Sequence, residues 1–305
     1  MSRRAQILNW YLRWTERPFL TRVSNLRVLR VGFEIKMGLF VPRPFGVRWT
    51  WGDLAGRRAL TLRPGGSTRR QTLLYFHGGA HVFGSPRTVG AMVALLVRKA
   101  GFEAVVPQYP LAPEAPFPAG VNYALAAYQA ILEGGVEPSD VIIGGDSAGG
   151  NLALSLLGQL VALDAPLPAG VFALSPITDF TFSGDSITDN DASEVILPPS
   201  RISEMAGMYL RDHPVNDPRA SPLNAAFGGA PPVWLAVGDT EILRDDSLRM
   251  AERLQVQGVK VTLTVAQDLP HVWPIFHPYL PEARATLDAL AGWMQDHTAA
   301  KEPTR

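Results

Sequence analysis

The sequence contains no cysteine. Disulfides, thiolate nucleophiles, Cys-ligated zinc and iron–sulfur clusters are excluded with it, and nothing in the chain speaks for an oxidising compartment. An excess of one charge is missing too: 28 Lys+Arg stand against 28 Asp+Glu, for a formal net charge of +0. Such a balance leaves no footprint for gripping phosphates and argues against a nucleic-acid partner. No apolar run approaches the roughly 18–20 residues of a membrane helix, so no stable membrane insertion is expected. The opening MSRRAQILNWYLRW has two arginines, as a signal peptide would, but Asn9, Arg13, Glu16 and Arg17 interrupt it before an apolar stretch forms. No signal peptide is read, and the expected location is cytoplasmic. Ile7, Trp10, Tyr11 and Trp14 fall at helical spacing and read as a face covering a pocket or core rather than one touching a membrane.

The 305 residues, 47% of them hydrophobic, can bury a sizeable core. A helical N-terminal segment is followed by alternating stretches at 47–52 and 57–63, joined by turn chemistry at Asp53–Gly56 that suits a hairpin. The rhythm then changes to short apolar runs at 72–76, 104–107, 141–144, 170–174, 233–237 and 259–265, the pattern of strands buried on both faces. Helix-period segments lie between most of them, near 88–100, 119–133, 148–162 and 245–257, with a last one near 281–295. This βαβ alternation predicts an α/β fold: a mostly parallel sheet of about eight strands, helices on both faces, and ligands at the strands' carboxyl ends. The gap between 174 and 233 is long and holds a polar loop, a helix near 199–211 and a Pro-rich return, which suggests an inserted lid. The chain is therefore expected to be a single domain over 1–305, with a cap formed by about 1–45 and about 180–230. The tail after about 296 is expected to fray.

The strongest chemical signal is VIIGGDSAGGNLALSLL, where strand 141–144 runs into Gly145-Asp146-Ser147-Ala148-Gly149 and then into a helix. A strand that reverses into a helix within one turn strains the central residue, and small neighbours let the two arms approach. Ser147 is thereby presented as a nucleophile, and Ala148 N–H at the helix start is offered to a developing oxyanion. A phosphate loop would need G-K-[ST], which is absent. Upstream, the strand at 72–76 ends in His77-Gly78-Gly79-Ala80, and Gly78 and Gly79 are assigned as further oxyanion donors because glycine lets the backbone approach a substrate. His77 reads as a loop-shaping residue. His77 and His81 are separated by that loop rather than by a helical turn, so metal binding is not expected.

A nucleophilic serine needs a base, and the base needs an acid to orient it; on this fold the chain order is serine, acid, histidine. His271, in the loop after the last strand, is the expected base. His277, His213 and His297 sit less well, in the later loop, the lid and the tail. For the acid, Asp239, Glu241 and Asp245 all lie near the correct strand end, and position alone does not choose among them.

HGGA, YPLAPEAPFPAG, GDSAGGN, LSPITD and PHVW occur in the order found in the hormone-sensitive lipase family of α/β-hydrolases, and from about Thr72 to Trp293 the chain resembles that family. The resemblance implies an eight-stranded sheet, a two-part helical cap, no cofactor, and hydrolysis of short- to medium-chain carboxylic esters. The family's acid is the first aspartate of D-P-L-x-D; aligning Leu243-Arg244-Asp245 with L-x-D puts Glu241 there. Ala80 replaces a glycine, His81 an aromatic residue and Pro110 an arginine, the last removing a cation near Glu114. The expectation is thus a carboxylesterase with Ser147, His271 and Glu241 as its triad, Gly78, Gly79 and Ala148 as oxyanion donors, and a small-molecule ester as substrate. A lactone or amide hydrolase on the same triad and a non-catalytic receptor are the rival readings, and a homodimer through a sheet edge is compatible with the resemblance.

Overall fold

The computed structural model describes residues 2–66 and 71–298; the tail from 299 lies outside the described residues. Helices α1 (Arg3–Arg22) and α2 (Leu26–Phe40) come first, then the strands β1 (Val47–Leu54) and β2 (Arg57–Pro64). Their turn is held by Gly56 N–H donating to Asp53 Oδ1 at 2.9 Å. The βα alternation follows: β3 (Thr72–Phe76), α3 (Pro86–Ala100), β4 (Glu103–Pro107), α4 (Ala119–Glu133), β5 (Val141–Asp146), α5 (Ala148–Ala162) and β6 (Gly170–Leu174). A long excursion carries the short α6 (Ser186–Asp189) and α7 (Pro199–Leu210). The chain then re-enters through β7 (Val233–Gly238), α8 (Arg244–Val256), β8 (Val261–Ala266) and α9 (Pro281–His297).

The strands form one eight-stranded sheet in the order β1-β2-β4-β3-β5-β6-β7-β8. β2 is antiparallel to both β1 and β4, and every pair from β4 to β8 is parallel. Alternation along each strand divides its side chains between two cores. Leu74, Phe76 and Ile143 pack with Val121 of α4, Leu152 of α5 and Met250 of α8. Leu73, Tyr75 and Ile142 pack with Val93 of α3 and Leu287 of α9 on the other side. β3, β5, β6 and β7 are buried at every position because both faces are covered. α3 illustrates the local code: Ser85 forms a capping box with Thr88, Pro86 opens the first turn, and Gly101 closes the helix at φ 78°.

Crossings on opposite faces of the sheet diverge at β3, whose two neighbours are β4 and β5. That switch point opens a crevice at the carboxyl ends of the strands, beside residues 77–84 and Ser147. Over the crevice lie α1, α2 and α7. Arg201 of α7 donates to Val23 O at the end of α1, and Arg13 and Arg17 of α1 reach the carbonyls of residues 191–194.

One expectation is reversed. Of the face of α1 read as an inward cover, only Tyr11 reaches the cavity; Ile7, Trp10 and Trp14 point to solvent, at 68%, 66% and 66% exposure. The inward stripe is Ala5, Leu12, Glu16 and Leu20 on the opposite side of the helix. The aromatic residues outweighed these in the sequence pattern, although period alone is satisfied equally by either face.

Candidate active site

β5 ends at Asp146 and α5 begins at Ala148, so the chain turns on Ser147 alone. Ser147 holds φ 52° and ψ −116°, a conformation that an L-residue adopts only under constraint. Its N–H donates to Leu174 O of the neighbouring strand at 2.8 Å. A Cβ on Gly149 would lie 2.0 Å from Phe76 O, so helix and sheet approach this closely only because that position is glycine. Ser147 borders a largely apolar cavity of about 170 Å³ together with Gly78, Gly79, Ala80 and His271.

His271 follows β8. Its Nδ1 lies 2.7 Å from Glu241 Oε2, with both side chains buried. Glu241 Oε1 accepts from Ser175 Oγ at 2.8 Å and from Gly238 N–H at 2.6 Å. Ser175 Oγ in turn accepts from Val272 N–H at 3.1 Å, so one hydroxyl braces the carboxylate and the histidine loop together. With a carboxylate opposite it, Nδ1 carries the ring proton and Nε2 is left as the basic atom. Burial disfavours the imidazolium, but the charge and hydrogen bond of Glu241, helped by Glu194 and Asp146, outweigh it and raise the His271 pKa.

The competing carboxylates are engaged elsewhere. Asp239 Oδ1 accepts from Asp268 N–H at 2.7 Å, bracing the approach to His271. Asp245 accepts from Ser186 N–H and pairs with Arg244. Among the other histidines, His277 is held near neutral-form pKa values of about 4 by burial, aided by the positive charge of Arg284. His213 packs edge-on against Phe117, and His297 is bonded to Trp293 O. Among the described residues no three His, Asp or Glu side chains converge to hold a metal.

The loop after β3 supplies backbone donors. Gly79 holds φ 119°, and its carbonyl accepts from Val82 and Phe83 N–H, curling the loop back on itself. The Asp146 carboxylate lies close against Gly78, where a Cβ would come within 2.3 Å of its Oδ2, and burial pushes that carboxylate up to about 6. The N–H groups of Gly79 and Ala80 have no protein acceptor among the described residues, and neither has that of Ala148 at the first turn of α5. His77 donates from Nδ1 to Gly78 O at 2.8 Å and stacks on Tyr109, consistent with a loop-shaping part. His81 stacks on Tyr209 at 3.8 Å and 7°, filling the place of an aromatic ring, and burial lowers its pKa to about 3. Glu114 finds a cation after all: Arg30 of α2 grips both its oxygens at 2.7 Å, and that hydrogen bonding holds its pKa near 2.

Two residues escaped the reading of the sequence. Glu194 is buried, accepts from Ile196 and Ile242 N–H, and adds its charge to the His271 environment; burial raises its pKa. A lone acid ahead of an apolar stretch carries no motif that would have found it. Ser175 lies in LSPITD, and its hydroxyl directly after a buried strand was the available signal.

A serine on a strained strand–helix turn, a carboxylate-bound histidine from the loop after the last strand, and unpaired N–H groups in a glycine loop together define a serine hydrolase on an α/β sheet. The family model described as alpha/beta hydrolase fold matches residues 73–275, and the chain belongs to that family, within its hormone-sensitive lipase group. An acetyl-hydrolase of Streptomyces hygroscopicus is 36% identical over 228 residues, covering 75% of this chain and 76% of that protein. An esterase of Acinetobacter venetianus is 34% identical over 78% of each. Among solved structures, the esterase EstE5 soaked with ethyl alcohol superposes with a TM-score of 0.94 at 34% identity, covering 98% of this chain and 100% of that one. An esterase from the bacterial hormone-sensitive lipase family does so with 0.92 at 32% identity, covering 98% and 99%.

Proposed function

We propose that this chain is a carboxylic ester hydrolase working through an acyl-enzyme, with Ser147, His271 and Glu241 as its triad. Ser147 Oγ attacks the ester carbonyl carbon while His271 Nε2 takes the hydroxyl proton. The oxyanion that forms is received by the N–H groups of Gly79, Ala80 and Ala148. Ala80 takes the place of Gly78 among the donors in this reading, because the Asp146 carboxylate crowds Gly78, where a Cβ would come within 2.3 Å of Oδ2. Collapse expels the alcohol, protonated by His271; a water, deprotonated by the same nitrogen, then releases the carboxylic acid. The observation that carries the reading is the 2.7 Å Glu241–His271 pair, whose histidine borders the same cavity as Ser147.

Residues of about 1–45 and about 180–230 form the cap of a single domain in this reading. Leu12, Met37, Ile202 and Met205 line the cavity's apolar wall, which suits short to medium acyl chains and asks for no cofactor. Among the described residues the outer edge of β8 has no neighbouring strand, and a homodimer paired there extends the proposal, to be read by sedimentation. No helix among the described residues is long and apolar enough to cross a membrane. A cytoplasmic location is part of the proposal.

The test is hydrolysis of p-nitrophenyl esters from acetate to palmitate by wild type and Ser147→Ala. Activity on short and medium chains, lost in the variant, is expected. A folded wild type idle on every ester would transfer the site to lactones or amides, and failure to label with a fluorophosphonate would point to a receptor.

A further inference from the structure

The outer surface of α1 and α2 is apolar. Ile7, Trp10 and Trp14 on α1, and Val28, Val31, Ile35 and Leu39 on α2, are each more than half exposed. At about 100° per residue each set makes one stripe, on the side of its helix opposite the buried residues. Patches of this kind on a folded chain mark an interaction surface.

Charge identifies the partner. Residues 1–48 carry ten Lys+Arg and two Glu, whereas the rest of the chain carries eighteen Lys+Arg and twenty-six Asp+Glu. The zero net charge therefore hides a strongly basic N-terminal region on an acidic body. Arg13, Arg17, Arg30 and Lys36 are committed to partners within the fold. Arg3, Arg4, Arg22 and Arg27 are exposed and form no ion pair among the described residues. Arg3, Arg4 and Arg22 project within about 60° of the α1 stripe. Two such faces from two copies would meet with like charges opposed, which disfavours face-to-face self-association.

The surface is continuous with the catalytic cavity. Tyr11 and Phe40 line the cavity, yet each is at least two-fifths exposed, and their rings meet across the two helices at 6.4 Å. Tyr279 closes the third side, its hydroxyl donating to Phe40 O at 2.6 Å.

We propose that the outer face of the α1–α2 hairpin docks on an anionic lipid surface, and that esters dissolved there enter the cavity between Tyr11 and Phe40. Tryptophan at the edge, aliphatic side chains in the acyl boundary and arginines at the headgroups are the distribution of a helix lying in an interface rather than crossing it. The part concerning substrates rests on the ester-hydrolase reading; the docking does not.

The test is cosedimentation of the full chain with vesicles of phosphatidylcholine alone or mixed equally with phosphatidylglycerol. Binding to the mixed vesicles is expected to exceed that to neutral ones by about tenfold and to weaken in high salt. Trp10→Ser/Trp14→Ser should lower it by about tenfold or more, and Arg4→Gln/Arg22→Gln should remove the preference for phosphatidylglycerol. Neither pair lines the cavity, so turnover of dissolved p-nitrophenyl butyrate and far-ultraviolet circular dichroism should match wild type in both. A chain that stays in the supernatant with every vesicle, or tryptophan variants that bind as wild type does, would overturn the proposal. So would a solution dimer that Trp10→Ser/Trp14→Ser splits without any vesicle binding, which would give the face to a second copy. Because binding is read without chemistry, an inactive chain that still pellets with the vesicles would fail the esterase reading alone.

Discussion

In the proposed mechanism Ser147 is a useful nucleophile only while His271 is neutral, and the buried carboxylate bonded to His271 also makes it harder to deprotonate. Imidazole ordinarily titrates near 6.5, and here the pKa is raised. Because the basic form is the working one, kcat/KM should climb with pH through an apparent pKa above about 6.5 and then level off. Glu241→Gln removes the charge that outweighs burial, so the limb should move to lower pH while kcat falls by about 10²–10⁴. Profiles with p-nitrophenyl butyrate check both effects, and a limb unmoved in Glu241→Gln would separate Glu241 from the base. Asp245→Asn, whose carboxylate is occupied by Ser186 and Arg244, should leave the profile in place. At this scale Ser147 was legible because its motif is local. The directions of the loop N–H groups were not, since they depend on Gly79 at φ 119° and on the approach of the Asp146 carboxylate to Gly78.

The strands and crossover helices were readable because double-sided burial leaves short apolar runs, and each run sits within a few residues of its strand. The N-terminal hairpin was harder, since both faces of α1 are apolar and the true inward stripe contains Glu16. That glutamate is compensated across the hairpin: Lys36 Nζ lies 2.6 Å from Glu16 Oε2 and 4.0 Å from the centre of the Phe19 ring. Lys36→Met should strand a buried carboxylate whose Oε1 already has no partner. With the lysine partly open to water, the expected loss is about 1–2 kcal/mol rather than that of a fully buried pair. Glu16→Gln/Lys36→Met should recover most of it. Urea unfolding of the three proteins measures this, and equal stability in all of them would mean the pair does not hold the hairpin.

Across the whole molecule, buried titrating groups oppose one another. Burial holds His77 near 4 and His81 near 3, so both are neutral when folded but protonated in the unfolded chain below about 6.5. Their contribution to stability is therefore lost as pH falls from about 6.5. Burial pushes Asp146 up to about 6 and Asp246 up to about 7, whereas unfolded aspartates ionise near 4. The folded chain keeps those protons longer, so their contribution declines as pH rises from about 4 to 7. With His277 near 4 on the side of the histidines, and Glu194, whose pKa burial also raises, on the side of the aspartates, three groups oppose three and should leave a shallow dependence between about pH 4.5 and 6. Asp246→Asn separates them. Asp246 Oδ1 accepts from Thr178 and Asp179 N–H, which an amide oxygen would retain, while Oδ2 has no partner to lose. The variant should unfold like wild type near pH 4, where the aspartate is neutral. By pH 8 it should be the more stable by about 2 kcal/mol or more, because wild type must then hold a buried anion. Guanidinium unfolding at the two pH values measures the difference; a gap of the same size at both, or a variant weaker at pH 8, would show that the ionised Asp246 is the form the fold prefers.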